Sequence, residues 1–380
     1  MSKRILLSTP HMSGNEMKYI REAFEKNYIA PVGENINQLE DALKQYLQVP
    51  QVVALNSGTA ALHLALINLG VDQGDEVIVS DFTFCASVNP ILYQRAVPIF
   101  IDSEPETWNM DPQLLEMAIR DRLKKGNKPK AVILVHLYGM PAKIKEIREI
   151  TSRYEIPLIE DAAEALGSRY HGQLVGTFTD MSILSFNGNK IITTSGGGAL
   201  VTTSPFYAQN ALYLSTQAKD NMPHYQHSAI GYNYRMSNIV AGIGRGQMEV
   251  IEQRIRQRRE RFQYYYEALN DIKEISFLEE PTGHFSNYWL TTLLVKPNGR
   301  GITREDVRKN LEADQIDTRH LWKPMHLQPI YEKYPCYMNG TATSLFEKGL
   351  CLPSGSNLSQ EDADRVVQQV KKTFQTASCF

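Results

Sequence analysis

Between residues 50 and 200 of this 380-residue chain, short runs rich in β-branched residues alternate with helical patterns. The predicted strands cover 51–55, 76–79, 97–101, 131–136 and 157–160, and the helices between them cover 60–69, 113–124 and 143–154. Such alternation is typical of a mostly parallel sheet with helices on both faces, so the sequence predicts an α/β fold. Because ligands of such sheets bind at the carboxyl ends of the strands, the polar residues after each strand are the candidates for chemistry.

The pattern changes after Ser237, where the sequence predicts one long helix. Apolar residues recur there at helical spacing, at Met248, Ile251, Ile255, Phe262 and Leu269. We interpret this helix as the link between two domains. Residues 1–245 form the large domain with an N-terminal arm, and residues 246–380 comprise the linking helix and a smaller C-terminal α+β domain. The smaller domain begins near Asn270 and contains a strand over 289–295.

Two features of the helical region resemble binding motifs, and we interpret both as structural. Glycines at 242, 244 and 246 resemble a dinucleotide-binding turn, but they lie on a helix rather than after a strand, which predicts close helix packing. A basic run resembles a phosphate or RNA patch, but it is mixed with glutamates and predicts a solvated helix face. Its members are Arg254, Arg256, Arg258, Arg259 and Arg261.

Composition limits the class of protein. Forty Lys plus Arg against 42 Asp plus Glu leave a net charge of −2, without the basic excess of a nucleic-acid binder. No apolar run approaches the ~18 residues that span a membrane. His224 and His227 lack the Cys or carboxylate pattern of a metal site. Four distant cysteines predict free thiols in a reducing compartment, namely Cys85, Cys336, Cys351 and Cys379. We expect a soluble, cytoplasmic protein without metal, nucleic-acid partner or membrane insertion.

The turn Ser57-Gly58-Thr59 lies between a predicted strand and a predicted helix. Free backbone N–H groups at a helix N-terminus, with two hydroxyl groups beside them, suit a phosphate group. Ser and Thr are also the commonest helix caps, and for the turn taken alone that interpretation is favoured. The chain contains no G-x-x-x-x-G-K-[ST] motif, which excludes a nucleoside-triphosphate P-loop.

Asp161 and Lys190 follow two later strands. Asp161 either lies against a flat ligand or caps the next helix, and both interpretations stay open. Lys190 precedes the run Ser195-Gly196-Gly197-Gly198, where the backbone must turn tightly. A Schiff-base lysine needs surroundings that disfavour its ammonium form, because only the neutral amine attacks a carbonyl. A phosphate turn, a strand-end Asp and a Lys in this order are what pyridoxal phosphate requires.

The chain resembles the DegT-type sugar aminotransferases, a branch of the aspartate aminotransferase (fold type I) superfamily, over nearly its whole length. Five segments carry the resemblance: Ile29-Ala30-Pro31-Val32-Gly33, Asn56-Ser57-Gly58-Thr59-Ala60-Ala61-Leu62, Phe82-Thr83-Phe84, Glu160-Asp161-Ala162-Ala163 and Tyr232-Asn233-Tyr234-Arg235-Met236-Ser237. The resemblance implies a large fold type I domain that binds pyridoxal phosphate. The residues at the cofactor are then Ser57, Gly58, Thr59, Phe84, Asp161, Glu164, Ser185, Lys190 and Asn233.

By this resemblance, Lys190 forms the Schiff base and Asp161 pairs with the pyridine nitrogen. Ser185 joins the phosphate turn, and Phe84 stacks on the ring. Asn233 reaches the phosphate of the other subunit, which implies a homodimer. Many family members have Gln or His near the phenolic oxygen, where this chain has Glu164, and a carboxylate there repels a phenolate unless it is protonated or bridged by a donor.

Three segments resemble the UDP-N-acetylbacillosamine-pathway aminotransferases in particular: residues 187–198, Ser215-Thr216-Gln217-Ala218 and Leu321-Trp322-Lys323-Pro324-Met325-His326. This implies that an amino group moves from L-glutamate to C4 of a UDP-linked 4-keto-6-deoxy-N-acetylhexosamine, for glycan biosynthesis. Arg319 and His326 are candidate contacts to phosphate or sugar hydroxyls, with an ordinary salt bridge or hydrogen bond as the equal alternative. His136 and Tyr138 either line the site or pack in the core.

Three other functions share this scaffold. In the related sugar dehydratases, His replaces the Schiff-base lysine, so Lys190 argues against that activity. A non-catalytic sensor has no need to keep Lys190 and Asp161. An aminotransferase for a GDP- or dTDP-linked keto sugar remains an open alternative.

Overall fold

The computed structural model describes residues 3–296 and 301–376. Its strands are β1 (Gln51–Leu55), β2 (Glu76–Ser80), β3 (Val97–Ile101), β4 (Ala131–Val135), β5 (Leu158–Asp161), β6 (Arg169–Tyr170), β7 (Gln173–Leu174), β8 (Met181–Ser185), β9 (Gly198–Thr202), β10 (Ile275–Phe277), β11 (His284–Phe285), β12 (Thr291–Val295), β13 (Arg319–His320), β14 (Cys336–Tyr337) and β15 (Gly349–Leu352). Its α-helices are α1 (Glu16–Glu25), α2 (Glu34–Leu47), α3 (Gly58–Asn68), α4 (Asn89–Tyr93), α5 (Pro112–Lys124), α6 (Ile144–Arg153), α7 (Pro205–Ser215), α8 (Asn238–Met248), α9 (Ile251–Leu269), α10 (Arg304–Ala313), α11 (Thr341–Lys348) and α12 (Gln360–Thr376).

The largest sheet has the strand order β1-β9-β8-β5-β4-β2-β3-β14. Neighbours from β8 to β14 pair in parallel, whereas β9 is antiparallel to both β1 and β8. Side chains of β4 alternate between two cores, with Val132 and Leu134 on one face and Ala131 and Ile133 on the other. A sheet buried on both faces is what the near-continuous apolar strands predict, and the mostly parallel α/β fold is confirmed.

The single long helix predicted after Ser237 is wrong, because α8 ends at Met248 and α9 begins at Ile251. Val250 leaves the helical region, with φ −119° and ψ 10°. Glu249 at this break accepts hydrogen bonds from Asn15 Nδ2 at 2.6 Å and from the Tyr19 hydroxyl group. These bonds to the N-terminal region hold the end of α8. The helical spacing of apolar residues continues from α8 into α9, and the sequence pattern therefore does not reveal the break.

The predicted close packing of the glycine-containing helix is confirmed. A Cβ atom on Gly242 would lie 2.8 Å from Asn35 Nδ2, and one on Gly246 would lie 2.9 Å from the backbone nitrogen of Glu16. Glycine therefore lets α8 approach α1 and α2 at a distance that a side chain would prevent.

The prediction of a solvated basic face is wrong for two of the arginines. Arg254 is 3% exposed and Arg258 1% exposed, whereas Arg256 is exposed. The four-residue spacing places the two buried arginines on the face of α9 that also carries Ile251 and Ile255. Backbone carbonyl groups that accept hydrogen bonds lie opposite this face of α9. For example, Arg254 Nη2 donates to the carbonyl group of Met12 at 3.0 Å.

The C-terminal part of the chain builds a second sheet, in the order β10-β12-β15-β13, with a core of its own. β14 nevertheless joins the large sheet beside β3, and the domain division between residues 245 and 246 stays a prediction.

Cys85, Cys336 and Cys351 are free thiols, and Cys379 lies outside the described residues. None of the helices in 3–296 and 301–376 is long and apolar enough to cross a membrane. The cytoplasmic location stays a prediction.

Candidate active site

The phosphate turn lies where β1 leads into α3. Ser57 is the N-cap of α3, and its side chain accepts a hydrogen bond from Ala60 N at 3.0 Å. Gly58 lies against the end of β8, since a Cβ atom there would be 3.2 Å from both the Leu184 carbonyl oxygen and Ser185 Cβ. A Cβ atom on Gly198 would overlap Gly58 N. Glycine at both positions brings the N-terminus of α3, with its positive dipole end, onto the sheet edge.

Asp161 ends β5 and is 5% exposed. Its Oδ2 accepts a hydrogen bond from the Ser87 hydroxyl group at 2.7 Å, and its Oδ1 accepts one from Ala163 N at 3.1 Å. Thr83 lies 2.8 Å from Ser87, oxygen to oxygen, and donates to it because the Ser87 proton points to Asp161. Burial raises the pKa of Asp161, and the bond from Ser87 opposes that rise.

Lys190 approaches the same place from the loop after β8. Its Nζ lies 3.6 Å from Glu164 Oε1 and 4.0 Å from the centroid of the Trp289 ring. The other oxygen of Glu164 accepts a hydrogen bond from Tyr138 N at 2.7 Å. Burial raises the pKa of Glu164, although the charge of Lys190 opposes that rise. An amine, a carboxyl group with a raised pKa and an aromatic face therefore meet at one point.

Eight of the predicted cofactor residues line one cavity of about 350 Å³. They are Ser57, Gly58, Thr59, Phe84, Asp161, Glu164, Ser185 and Lys190. Phe84 is 47% exposed, and its ring lies 5.1 Å from that of Trp322. The fold therefore brings residues up to 133 positions apart in the chain to one edge of the sheet. This is expected, because the carboxyl ends of parallel strands meet at the same edge.

Asn233 does not line this cavity. It is exposed, and its carbonyl oxygen accepts a hydrogen bond from Asn56 Nδ2 at 3.0 Å. The backbone of Asn233 is thus tied to the loop just before the phosphate turn, while its side chain remains available at the surface. Its predicted role across a subunit boundary stays a prediction.

Of the two candidate substrate contacts, Arg319 and His326, only Arg319 lines the neighbouring cleft of about 940 Å³. His326 instead pairs with buried Asp81, with Nδ1 2.7 Å from Oδ2, while its backbone N–H donates to Oδ1 at 2.8 Å. The carboxylate of Asp81 raises the pKa of His326. The pair with Asp81 anchors the segment that carries Trp322. A contact from His326 to the substrate stays a prediction.

His136 packs in the core. Tyr138 is 2% exposed and also packs in a buried cluster, but it borders the cleft as well. His136 Nδ1 accepts from Ala142 N at 3.1 Å, so Nε2 carries the proton that faces Glu160 Oε2 at 3.1 Å. The Tyr138 hydroxyl group accepts from Trp322 N at 2.8 Å. Its ring also stacks 6.1 Å from that of Trp322.

Ser87 and Trp289 belong to the site but were not among the predicted site residues. Ser87 lies on a single turn of 3₁₀ helix, and no motif marks it. Trp289 precedes β12 in the C-terminal part of the chain, 99 positions after Lys190. Only the approach of the second sheet brings it to the amine, so no local pattern signals its role. Within the described ranges, no group of three or more His, Cys, Asp or Glu residues could hold a metal ion.

A family model decides the class of this site. The model of the DegT/DnrJ/EryC1/StrS aminotransferase family matches residues 10–371. The chain belongs to this family. Its fold class, its activity as a sugar aminotransferase and its cofactor, pyridoxal phosphate, are as predicted.

Individual relatives agree with this assignment. EpsN of Bacillus subtilis (strain 168), named as a pyridoxal phosphate-dependent aminotransferase, is 47% identical over 99% of this chain and 97% of its own length. GDP-perosamine synthase of Escherichia coli O157:H7 is 37% identical over 98% of this chain and 99% of its own. The structure of Spr1654 from Streptococcus pneumoniae in its PMP form, described as a sugar aminotransferase, has a TM-score of 0.90 at 26% identity and covers 99% of this chain and 98% of that one.

The chemical groups that line the cavity of this family member fit pyridoxal phosphate. The helix N-terminus at Gly58 and Thr59 suits the phosphate dianion. Among residues 3–296 and 301–376, the buried carboxyl group of Asp161 accepts hydrogen bonds from the neutral donors Ser87 and Ala163, and such a group is stabilised by a cation such as a protonated ring nitrogen. Lys190 lines the same cavity, and a lysine amine is a group that can condense with the cofactor's aldehyde.

Proposed function

We propose that this sugar aminotransferase transfers the amino group of L-glutamate to C4 of a UDP-linked 4-keto-6-deoxy-N-acetylhexosamine. The observation that carries the proposal is that one cavity holding Lys190 and Asp161 adjoins a larger cleft that also contains cationic side chains. Five residues line both spaces: Thr83, Phe84, Asn189, Trp289 and Trp322. A sugar at the cofactor can therefore extend directly into the cleft with its nucleotide.

The cleft has the chemistry of a diphosphate site. Arg319 and Lys323 line it, and its lining carboxylate, Asp317, is already paired with Arg4 at 2.9 Å. Two guanidinium or ammonium groups complement a diphosphate, and aromatic walls suit a sugar and a base. The aromatic walls of this cleft include Phe84 and Trp322.

The chain's own groups supply positioning and proton transfer. Pyridoxal phosphate, when bound, supplies the aldehyde and the electron sink of the reaction. Lys190, once its amine is free, moves the proton at the α-carbon of the amino acid, because that amine is held in the cavity as a base. Burial raises the pKa of Glu164 beside it, which favours the protonated carboxyl group, and a protonated Glu164 would not repel a phenolic oxygen. Asp161 holds the ring nitrogen protonated.

The active unit in this proposal is a homodimer in which Asn233 acts across the subunit boundary. Exposed apolar side chains surround a depression next to it, between α1, α2 and α7. Tyr28 is 52% exposed, Val32 60% and Leu212 42%, and all three line that depression. Thr216, which also lines it, forms a backbone bridge to Asn233. An apolar patch of this kind is typical of a subunit interface.

A GDP-linked 4-keto sugar is the second candidate acceptor. It is favoured by the relative named GDP-perosamine synthase, which is 37% identical to nearly the whole chain. Both candidates need the same Lys190, Asp161 and cationic cleft. They differ in the nucleotide base and in the N-acetyl group of the sugar.

The experiment is to supply the enzyme with L-glutamate and, in turn, UDP-, GDP- and dTDP-linked 4-keto-6-deoxy sugars. We expect 2-oxoglutarate release and a new amino sugar, detected by mass spectrometry, with the highest kcat/KM for the UDP-linked N-acetyl sugar. A higher kcat/KM for a GDP-linked sugar supports the second candidate. Lys190→Ala is the control and should keep its fold but lose turnover and borohydride-trapped cofactor. Trapping on another lysine would refute the role of Lys190.

A further inference from the structure

Arg258 is buried to 1% exposure in the middle of α9, and its guanidinium group joins four separate segments of the chain. Nη1 donates to the carbonyl groups of Trp289 and, at 3.3 Å, Ser354. Nη2 donates to the Ser8 hydroxyl group at 3.0 Å and to the carbonyl group of Lys190 at 3.3 Å. The N-terminal arm, the lysine loop and two parts of the second sheet region therefore meet at this one side chain.

This cation lies in the interior without a compensating anion. Its bonds go to neutral acceptors, and no carboxylate within residues 3–296 and 301–376 forms a hydrogen bond or ion pair with it. Burial and, to a smaller extent, the nearby charge of Arg254 together lower the pKa of Arg258 to about 9. A buried unpaired charge is costly to stability, so its retention points to a task that an apolar residue of similar size cannot perform.

The groups that Arg258 binds are those that define the surroundings of the Lys190 amine. Lys190 Nζ lies 4.0 Å from the centroid of the Trp289 ring, and Arg258 binds the backbone carbonyl groups of both residues. The Trp289 indole N–H also donates to the carbonyl oxygen of Asn189 at 2.6 Å, as does the Ser8 hydroxyl group at 2.9 Å. Arg258 and its partners thus bind two consecutive carbonyl groups at the base of the lysine side chain.

We propose that Arg258 is a positioning residue that holds the backbones of Lys190 and Trp289 together, so that the lysine amine stays at the face of the indole ring and beside Glu164. It couples the reacting amine to Trp289, which lies in the segment that leads into β12 of the second sheet. The inference rests on the proposed function of Lys190. It adds that the geometry of the amine depends on a residue outside the cavity, because Arg258 does not line it.

Arg254 offers a matched control on the same helix, one turn earlier. It is 3% exposed, and it donates to the carbonyl groups of His11 and Met12 but to no residue of the lysine loop. Arg254→Met and Arg258→Met therefore remove equally buried guanidinium groups that bind backbone carbonyls. The two variants differ in whether the lysine loop loses a donor.

The test measures, for the two variants and the wild type, the rate of Schiff-base formation with added pyridoxal phosphate, followed by absorbance without substrates. We expect Arg258→Met to form the Schiff base about ten- to a hundredfold more slowly, with kcat reduced by a similar factor and KM for L-glutamate within about twofold. Arg254→Met should lower Tm comparably but leave both rates within about twofold. Arg258→Lys, which keeps the charge and a donor, should recover part of the rate.

The inference is overturned if Arg258→Met forms the Schiff base as fast as the wild type, or if Arg254→Met slows it equally. If Arg258→Met does not fold, Arg258→Lys takes its place in the test. If Arg258→Lys has the wild-type Tm and forms the Schiff base at the wild-type rate, the guanidinium group does not position the lysine loop. Because the assay uses no substrate, its outcome is independent of the acceptor sugar. A wild-type protein that forms no Schiff base at Lys190 contradicts the proposed function instead.

Discussion

At Asp161, burial and hydrogen bonding act on the carboxyl group in opposite directions. Burial raises its pKa, while the Ser87 hydroxyl group and Ala163 N–H lower it by binding the charged form. A carboxylate that holds a ring nitrogen protonated must stay charged, so the donor from Ser87 supports the function proposed for Asp161. Ser87 acts on the chemistry through another residue.

Ser87→Ala should lower kcat about tenfold, because a hydrogen bond to a charged group contributes about 1.5–3 kcal/mol and its loss favours neutral Asp161. The affinity for pyridoxal phosphate should change little, since the phosphate turn is untouched. Steady-state kinetics and a cofactor titration measure the two effects. Thr83→Val is the control, because Thr83 donates to Ser87 rather than to Asp161, and it should cost less than Ser87→Ala. Equal losses in both variants would contradict this account.

Glu164→Gln should keep kcat within about threefold near neutral pH, because the proposed function uses Glu164 in its neutral form. Burial raises the pKa of Glu164, so the wild type should lose activity as rising pH removes that proton. The variant cannot titrate there, and its pH–kcat profile should remain flatter on the alkaline side. Profiles that superimpose on that side would show that Glu164 does not act through its proton.

His63 should make folding stability sensitive to acid. Its ring is 4% exposed, lies within 3.2 Å of the Tyr234 hydroxyl group, and burial lowers its pKa from 6.5 to about 4. The unfolded chain therefore binds a proton at higher pH than the folded one. The contribution of neutral His63 is complete above pH 6.5 and is lost as the pH falls toward 4.

Denaturant unfolding of His63→Gln at pH 7 and pH 4 measures this contribution. Between these two pH values the wild type should lose about 3 kcal/mol more free energy of unfolding than the variant, as a shift of 2–3 pKa units implies. His224→Gln is the control for the loss of a histidine side chain, because His224 is exposed in the folded protein. An identical pH dependence in the wild type and His63→Gln would exclude this role.

At the scale of elements, the contact between α3 and β9 determines the phosphate turn. Gly198 begins β9 opposite Leu55 and Ser185, and a Cβ atom there would overlap Gly58 N and lie 2.7 Å from the Leu184 carbonyl oxygen. Together with Gly58, this residue lets the helix N-terminus reach the sheet edge because it has no side chain. The glycine run 196–198, which was predicted to form a tight turn, therefore also contains the residue against which the start of α3 packs.

Gly198→Ala should move the start of α3 away from β9, so we expect an overpacking cost of about 1–3 kcal/mol and a cofactor affinity at least about tenfold lower. Thermal unfolding and a pyridoxal phosphate titration measure these changes. Gly188→Ala is the control in the same part of the chain, because a Cβ atom on Gly188 meets nothing within 4 Å. Wild-type cofactor affinity in Gly198→Ala would show that the turn does not depend on this contact.

For the molecule as a whole, the proposed dimer predicts complementation between two defective subunits. Lys190→Ala removes the amine, and Asn233→Ala should weaken cofactor binding about tenfold. If Asn233 acts across the boundary, a mixed dimer of the two variants contains one site with both residues intact. Random mixing makes half of the dimers mixed, so activity at limiting cofactor should recover to about a quarter of the wild-type value.

The experiment unfolds, mixes and refolds the two variant proteins, then measures activity at a cofactor concentration below that needed by Asn233→Ala. Each variant refolded alone is the control and should stay nearly inactive. Recovery should also require the dimer by size-exclusion chromatography. If the mixture is no more active than the sum of the two controls, Asn233 acts within its own subunit or not at all.

The element pattern was predictable where one local preference dominated. The bounds of β1 and β3 agree with the predicted 51–55 and 97–101, because each strand is a short apolar run between turn residues. The end of α8 was not predictable, because the bonds that hold Glu249 come from Asn15 and from Tyr19 of α1, more than 200 positions earlier. A helix end that is set by residues distant in the chain does not change the spacing of apolar residues in the local sequence.

The candidate site divides in the same way. Ser57, Asp161 and Lys190 carry their chemistry in the residue type and follow strands, so order along the chain was enough to propose them. Ser87 and Trp289 are ordinary in sequence and became site residues only when the fold brought them within contact of Asp161 and Lys190. The same holds for Arg258, because an arginine side chain is normally solvated.

The sequence alone determined which functional groups are present and along which edge of the sheet they lie. The distances between them, and the burial that sets their proton affinities, came from contacts between distant segments, because desolvation and hydrogen bonding depend on neighbours in space.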